Sequence, residues 1–502
     1  MPTTARLCAE SNSSRSDVSS MARPPRHPRR RPILYRAMRA SGRGFLLLWA
    51  AVLAFPATAG ADSIVAEAVV IPEPGFRDPG ERMLKTKLSN GLVVLTLEDH
   101  TTPVVSFQMW VKVGSRDESR YTGLAHLFEH MMFRGSSNIP PDMHAQLVNS
   151  RGGRTNAYTS RDFTVYFEDV TSEVLPLVIE LEAERLANLD ISEKNLESER
   201  QVVLEERRMR TEDQPMGRAM EALMALTFQA HPYRWPPIGW RSDVERATVA
   251  ASREFFDSYY APNNVVIAIA GDFDSEEALD LIRRTFGKLD PVEVPRNPTQ
   301  EPEQDGERRA IVHFDLGAPI LAAAWHAPPT GHADGEALDV LSTILSSGRS
   351  SRLYRKLVYE KESALSAEGA YWELDDAGIF YAVAQVRPGV GVEDVEGLFM
   401  AEIERVKQSG VRDDELAKAK RQLEVALVNS LATNHSLAGR MGREVSTFGR
   451  VRPLDERLTA IRAVTGADVQ RVANTYLKDE KRSVVHVVPP PASERKDRGD
   501  GT

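Results

Sequence analysis

The apolar positions change period along the chain, and the changes mark its elements. Short β-branched and apolar runs at Leu92–Leu97 and Val104–Val113, bounded by Asn90-Gly91 and Gly114-Ser115, predict strands. From Thr122 the spacing becomes helical, over Thr122–Phe133, an amphipathic Val174–Ala187, and a long charged Glu193–Arg210 with Leu196, Val203 and Leu204 as its apolar points. A strand over Asn264–Ala270, ending at Gly271-Asp272, and a helix over Ser275–Phe286 close a first half. Residues 288–309 are rich in Pro and charge without apolar periodicity, which predicts a linker. The pattern then repeats, with strands at Ala310–Phe314 and Ile320–Trp325, helices at Gly335–Leu345 and Asp413–Leu431, and a last strand at Ser483–Val488. Ile191–Leu196 aligns with Val411–Leu416, each opening a long helix. The expectation is an α+β fold of two homologous domains, 85–287 and 310–490, of about 200 residues each.

Composition adds a leader and removes one chemistry. The 502 residues carry a formal charge of −9, yet residues 1–61 hold ten Arg and no Lys against only Glu10 and Asp17. Taking away that net +8 leaves the body at −17, which argues against nucleic acid as a partner. Within the leader, Arg39 and Arg43 precede the apolar run Phe45–Phe55, and Ala59-Gly60-Ala61 supplies an A-x-A cleavage pattern, so 1–61 reads as a secretory signal. The expected place of the mature chain is the periplasm, membrane-associated if the signal stays uncleaved. A mitochondrial presequence, with the matrix as destination, is the alternative for so Arg-rich a segment. Residues 62–84 read as a lead-in and 491–502 as a polar tail. The only cysteine, Cys8, lies in the leader, so a metal held by the mature chain must use His and carboxylates.

One helix carries the material for such a site. In His126-Leu127-Phe128-Glu129-His130 the imidazoles are four residues apart, on one helical face, where both can reach a single cation. Glu129 lies on a neighbouring flank. This is the H-x-x-E-H order in which the carboxylate serves as proton acceptor and not as ligand. Two His leave a catalytic zinc one protein ligand short. The long charged helix offers Glu206, with Glu199 seven residues earlier on the same face as a supporting carboxylate. Glu205 points about 100° away around the helix, although the sequence leaves a swap with Glu206 open. A solvated charged stripe is the plain alternative for the whole motif. Against it, Gly123-Leu124-Ala125 and Met131-Met132-Phe133 make the helix largely apolar, and buried polar groups need a partner.

Together, Gly123–Gly135, Asn156-Ala157-Tyr158-Thr159-Ser160 and Val202-Val203-Leu204-Glu205-Glu206 resemble the pitrilysin/insulinase peptidases, over residues 85–490. The resemblance implies a zinc metalloendopeptidase with one Zn2+ per chain, ligated by His126, His130 and Glu206, with Glu129 as base and Glu199 in support. It implies mostly antiparallel sheets packed with helices, the two domains forming half of a clamshell that encloses unfolded peptides. It gives Asn156–Thr159 the part of an edge strand that pairs with substrate, making Asn156, Ala157 and Tyr158 binding residues, and it puts Phe133 beside the scissile bond. Without the resemblance, Asn156–Phe167 is one alternating strand, and Tyr158 and Phe133 are core residues.

The second half departs from the motif. Aligned on Gly135 and Gly348, it sets Asp339, Ser342 and Thr343 against His126, Glu129 and His130, and Ala419 and Ala426 against Glu199 and Glu206. The family's second domain supplies an Arg and a Tyr for the oxyanion; here Val358 and Leu365 stand in those positions. Arg352, Arg355, Tyr359 and Tyr371 are nearby substitutes, otherwise solvated helix-face residues. The expected partner is therefore a homologous subunit carrying the Arg/Tyr pair, in a heterodimer, with a homodimer as the other arrangement. A non-catalytic assembly subunit and a mitochondrial processing peptidase β-type subunit are the competing readings.

Overall fold

A computed structural model of the chain describes residues 78–297 and 299–491. The expected signal segment, Cys8, most of the lead-in and the tail from residue 492 lie outside the described residues. Among those described, no helix is long and apolar enough to cross a membrane.

The strands are β1 Leu84–Lys87, β2 Val93–Glu98, β3 Val104–Val111, β4 Arg154–Thr159, β5 Thr164–Thr171, β6 Val265–Gly271, β7 Arg308–His313, β8 Ile320–Ala327, β9 Ala364–Trp372, β10 Gly378–Val386 and β11 Arg482–Val488. They form two sheets, in the orders β1-β2-β6-β3-β5-β4 and β7-β11-β8-β10-β9. Apart from β1, the orders correspond strand for strand. In each sheet one pair is parallel, β2 with β6 and β7 with β11, and the other neighbours run antiparallel. The α+β architecture of two homologous, mostly antiparallel halves is thus as the sequence predicts.

The helices correspond too. Leu124–Met131 pairs with Gly335–Ser346, and Glu193–Arg207 with Asp413–Asn429. The offset that sets Glu193 on Asp413 also sets Pro215 on His435, and so relates the helices Pro215–Thr227 and Asn434–Phe448. These two are exchanged. The first lays Ala219 and Leu223 on Ile320, Ala322, Ala324, Val485 and Val487 of the second sheet. The second lays Leu437, Ala438, Met441 and Val445 on Leu95, Trp110, Val165, Val266 and Ala268 of the first. Each sheet is therefore covered on both faces. That is why all of β6 is buried, and why β6 and β8 read as continuous apolar runs instead of alternating. The approach is close: a Cβ on Gly442 would lie 2.2 Å from Trp110 Nε1.

Two local expectations change. The stretch Asn156–Phe167 is not one strand but parts of β4 and β5, turned at residues 160–163, where Ser160 Oγ accepts the N–H groups of Asp162 and Phe163. The long helix is α-helical over Glu193–Arg207 and then widens into a π turn over Arg208–Glu212.

Candidate metal centre

The Leu124–Met131 helix is fixed at its start by two devices. Gly123 sits at φ +91°, and a Cβ there would come within 2.7 Å of the Ile238 carbonyl oxygen, so only glycine suits the entry. The Glu118 side chain accepts the N–H groups of Gly123 and Ala125, each at 2.8 Å, satisfying donors that the first turn of the helix leaves unpaired. Glu118 is buried. Its neighbour helix, Glu193–Arg207, is capped by Ser192, whose side chain accepts the Asn195 N–H.

Between these two helices, His126, His130 and Glu206 bring one ligand atom each to within 4.8 Å of one another. Glu206 Oε2 lies 3.6 Å from His126 Nε2 and 3.2 Å from His130 Nε2. Donors at 2.0–2.1 Å from a tetrahedral ion stand roughly 3.3 Å apart, so the three atoms are spaced to share one cation. Two imidazoles and a carboxylate are also a known catalytic zinc set. The other oxygen, Glu206 Oε1, faces Arg210 at 2.5 Å. Glu199 is buried, with Oε2 at 3.4 Å from His130 Nδ1 and its other oxygen paired to Arg134. Glu205 is exposed and ion-paired with Arg208, and of the two it is Glu206 whose carboxylate lies beside the histidines.

The electrostatics separate the two imidazoles. Burial, aided by the charge of His130, pushes His126 down to about 4. Burial also works against the charge on His130, but hydrogen bonds that the ring donates to the Glu199 and Glu206 carboxylates outweigh it and hold that ring up at about 9. The hydrogen bond from His130 keeps the Glu206 carboxylate below its usual range. Glu129 goes the other way, raised by burial although Thr159 Oγ1 donates to its Oε2 at 2.6 Å. Burial thus makes Glu129 hold a proton more readily than an exposed carboxylate does, which suits a proton acceptor.

Thr159 ends β4, and among the described residues β4 is the sheet's edge, paired to β5 alone. The strand expected to bind substrate therefore runs up to Glu129. Along it Ala157 is buried while Asn156 and Tyr158 are exposed, so Tyr158 is not a core residue. Phe133 is partly buried against the first core, under the Arg185 guanidinium at 5.1 Å. The sequence reading missed Glu118, Thr159, Arg134 and Arg210. Thr159 had a signal, since it lies in the quoted Asn156–Ser160 stretch.

Among the described residues of the second half nothing comparable converges. Ser342 Oγ donates to the Asp339 carbonyl in its own helix, and burial pushes the Asp339 carboxyl up to about 7. Val358 is partly buried in the second core and Leu365 is exposed; neither side chain offers a hydrogen bond. Among the nearby substitutes, Tyr371 is no helix-face residue: it lies on β9, buried, donating to the Pro328 carbonyl at 2.8 Å. Arg352 is tied to Glu415 at 2.8 Å, while Arg355 and Tyr359 are exposed.

Comparison with known proteins agrees with this division. Residues 93–238 match the family described as Insulinase (Peptidase family M16), and residues 246–423 match the Peptidase M16 inactive domain. The chain is 32% identical over 408 residues to zinc protease PqqE of Helicobacter pylori, covering 80% of this chain and 92% of that one. It is 28% identical over 420 residues to a probable mitochondrial-processing peptidase subunit beta of Arabidopsis thaliana, covering 80% and 78%. A solved structure of a protease from Helicobacter pylori superimposes with a TM-score of 0.78 at 31% identity, over 81% of this chain and 99% of the other. With the motifs, the duplicated fold and these relatives in agreement, the chain belongs to the pitrilysin/insulinase family of peptidases, among relatives named as zinc proteases.

Proposed function

We propose that this chain is a zinc-dependent endopeptidase acting on unfolded peptides or small proteins, with one zinc per chain held by His126, His130 and Glu206. The observation that carries the reading is the meeting of those three donor atoms beside Glu129, at the end of an open strand edge. When bound, zinc supplies a Lewis acid that polarises the peptide carbonyl and acidifies a water toward a pKa of about 7. Glu129 takes the proton of the attacking water and returns it to the departing amine. Glu199 orients the His130 ring through Nδ1 and keeps Nε2 turned to the site. The substrate backbone adds to the free edge of β4, with Asn156, Ala157, Tyr158 and Phe133 as its contacts.

In this reading the cleft is completed by a homologous chain that brings the Arg and Tyr replaced here by Val358 and Leu365. Purified alone, the chain then binds zinc but hydrolyses peptides poorly; full activity without a partner refutes the pairing. Metal content by elemental mass spectrometry tests the centre itself. About one zinc per chain is expected, lost in His130→Ala and Glu206→Gln; no metal after zinc incubation of the parent chain overturns it. Export to the periplasm is part of the proposal. The likeness to the Arabidopsis subunit favours a second reading, presequence removal in the mitochondrial matrix. N-terminal sequencing separates the two, since a mature end at Asp62 supports export and a cut elsewhere in the Arg-rich segment supports the organelle.

A further inference from the structure

A second cluster, His144, Glu168 and Glu182, also brings one donor atom each to within 4.8 Å of one another, and all three residues are buried. His144 Nε2 lies 3.2 Å from Glu168 Oε1 and 3.5 Å from Glu182 Oε1. The difference lies in the cation already present. At Glu206 the arginine is exposed and sits on the outer oxygen, leaving Oε2 to the histidines. Here the buried Arg185 reaches the very carboxylate oxygens that a metal would need, pairing with Glu182 Oε1 and lying 3.5 Å from Glu168 Oε1. Burial pushes His144 down to about 3 and Glu182 up to about 8, and raises Glu168 as well. The Arg185 guanidinium thus stands on the oxygens a metal would take and supplies the positive charge of the cluster.

Such a network is an indifferent stabiliser. Buried ion pairs are often replaceable by apolar packing, and here Glu168 Oε2 and Arg185 Nη1 are buried without a hydrogen-bond partner. Apolar packing could not make the connections this network makes. Glu168 Oε1 accepts the hydroxyl of Thr155, on β4, at 2.9 Å. The Arg185 guanidinium lies 5.1 Å from the Phe133 ring, just past the motif helix, and 4.7 Å from the Tyr166 ring on β5. Thr155, Ala157 and Thr159 alternate onto one face of β4, so the strand is held from that face at Thr155 by the network and at Thr159 by Glu129.

We propose that Arg185, with Glu168 and Glu182, is a positioning group that sets β4 and Phe133 for the incoming peptide. The inference rests on the reading of β4 as the substrate strand, and the test separates the two. The probe is a fluorescein-labelled unfolded peptide, and its Kd is measured by anisotropy on the zinc-loaded full chain carrying Glu129→Gln, which binds without cleaving. Thr155→Val in that background is expected to weaken binding about tenfold, as for loss of a hydrogen bond to a charged group, with zinc content unchanged. With Arg185→Lys already in place, Thr155→Val should add little, because the network that Thr155 joins is already broken. A Kd unmoved by Thr155→Val, while Tyr158→Ala on the outer face of β4 weakens binding, overturns the positioning role alone. A Kd unmoved by both, or no binding by the parent chain, overturns the substrate-strand reading and this inference with it. Full additivity of Thr155→Val and Arg185→Lys also overturns it, since the two would then act independently.

Discussion

The two halves share a strand order, a parallel pair in the same place, and helices that begin at equivalent residues, Glu193 and Asp413. They differ in what faces the gap between the short helix and the long one. In the first half His126, His130 and Glu206 converge there, supported by Glu199; in the second, Asp339, Thr343, Ala426 and Ala419 stand in those places. The fold is therefore not what makes the centre. A few side chains on one copy do so, while the other copy keeps the architecture and gives a helix to the first. The contrast is sharpest at the base. Glu129→Gln should lower kcat by about 10²- to 10⁴-fold with zinc retained, whereas Ser342→Ala, at the equivalent place, should leave both unchanged. Steady-state kinetics beside metal analysis decide it, and a comparable loss from Ser342→Ala would show that the second half does chemistry.

Stability should not divide the way chemistry does. Because the Pro215–Thr227 helix of the first half covers the second sheet, Leu223→Ala should cost about 2–5 kcal/mol. The loss should appear in urea denaturation as an earlier, still single transition. Two separated transitions would mean that the exchanged helices do not couple the halves.

The duplication itself was legible from the sequence, through the Ile191–Leu196 match with Val411–Leu416 and the repeated pattern of strand and helix. So were the pairings within each helix, because helical periodicity puts His126 above His130 and Glu199 two turns from Glu206; that the two helices meet, with Glu206 and not Glu205 beside the histidines, was not legible from periodicity. The helix exchange was not legible. An amphipathic helix such as Asn434–Phe448 shows that it has an apolar face, and nothing in its period says which sheet receives it. The β4–β5 turn was missed although Thr159-Ser160-Arg161-Asp162 breaks the alternation with four polar residues in a row; the stretch holds no Gly or Pro, and the Ser160 hydroxyl makes the turn instead. Glu118 was missed because its partners are backbone N–H groups, which carry no side-chain signature.

A smaller effect tests how far support around the first centre reaches. Glu199→Gln should keep the fold and weaken zinc about 10- to 100-fold by loosening the orientation of His130, read by competition with a chelator. Ala419→Gln, its counterpart, should leave zinc affinity as it is. If Glu199→Gln abolished binding altogether, Glu199 would be a ligand and the assignment of Glu206 would need revision.

The least expected change lies where the halves meet. Asp375, in the loop between β9 and β10, is pushed up to about 6, by burial first and then by Asp162 of the first half. Arg116, at 3.6 Å, and Arg443 oppose that rise, as does the Thr447 hydroxyl; Asp376 and the Tyr233 hydroxyl lie alongside. A carboxyl raised on folding favours the folded state most at low pH. Its contribution is full below the ordinary value near 3.8 and is lost as pH rises through about 6. Asp375→Asn keeps an acceptor for Thr447 but cannot ionise. It should therefore flatten the fall in stability between those pH values and raise stability at neutral pH by about 1–3 kcal/mol. Urea midpoints at pH 4 and pH 7 for parent and variant give the answer. Were the variant instead less stable at pH 7, attraction from Arg116 and Arg443 would outweigh burial, and the junction would be held by ionised Asp375 instead of being strained by it.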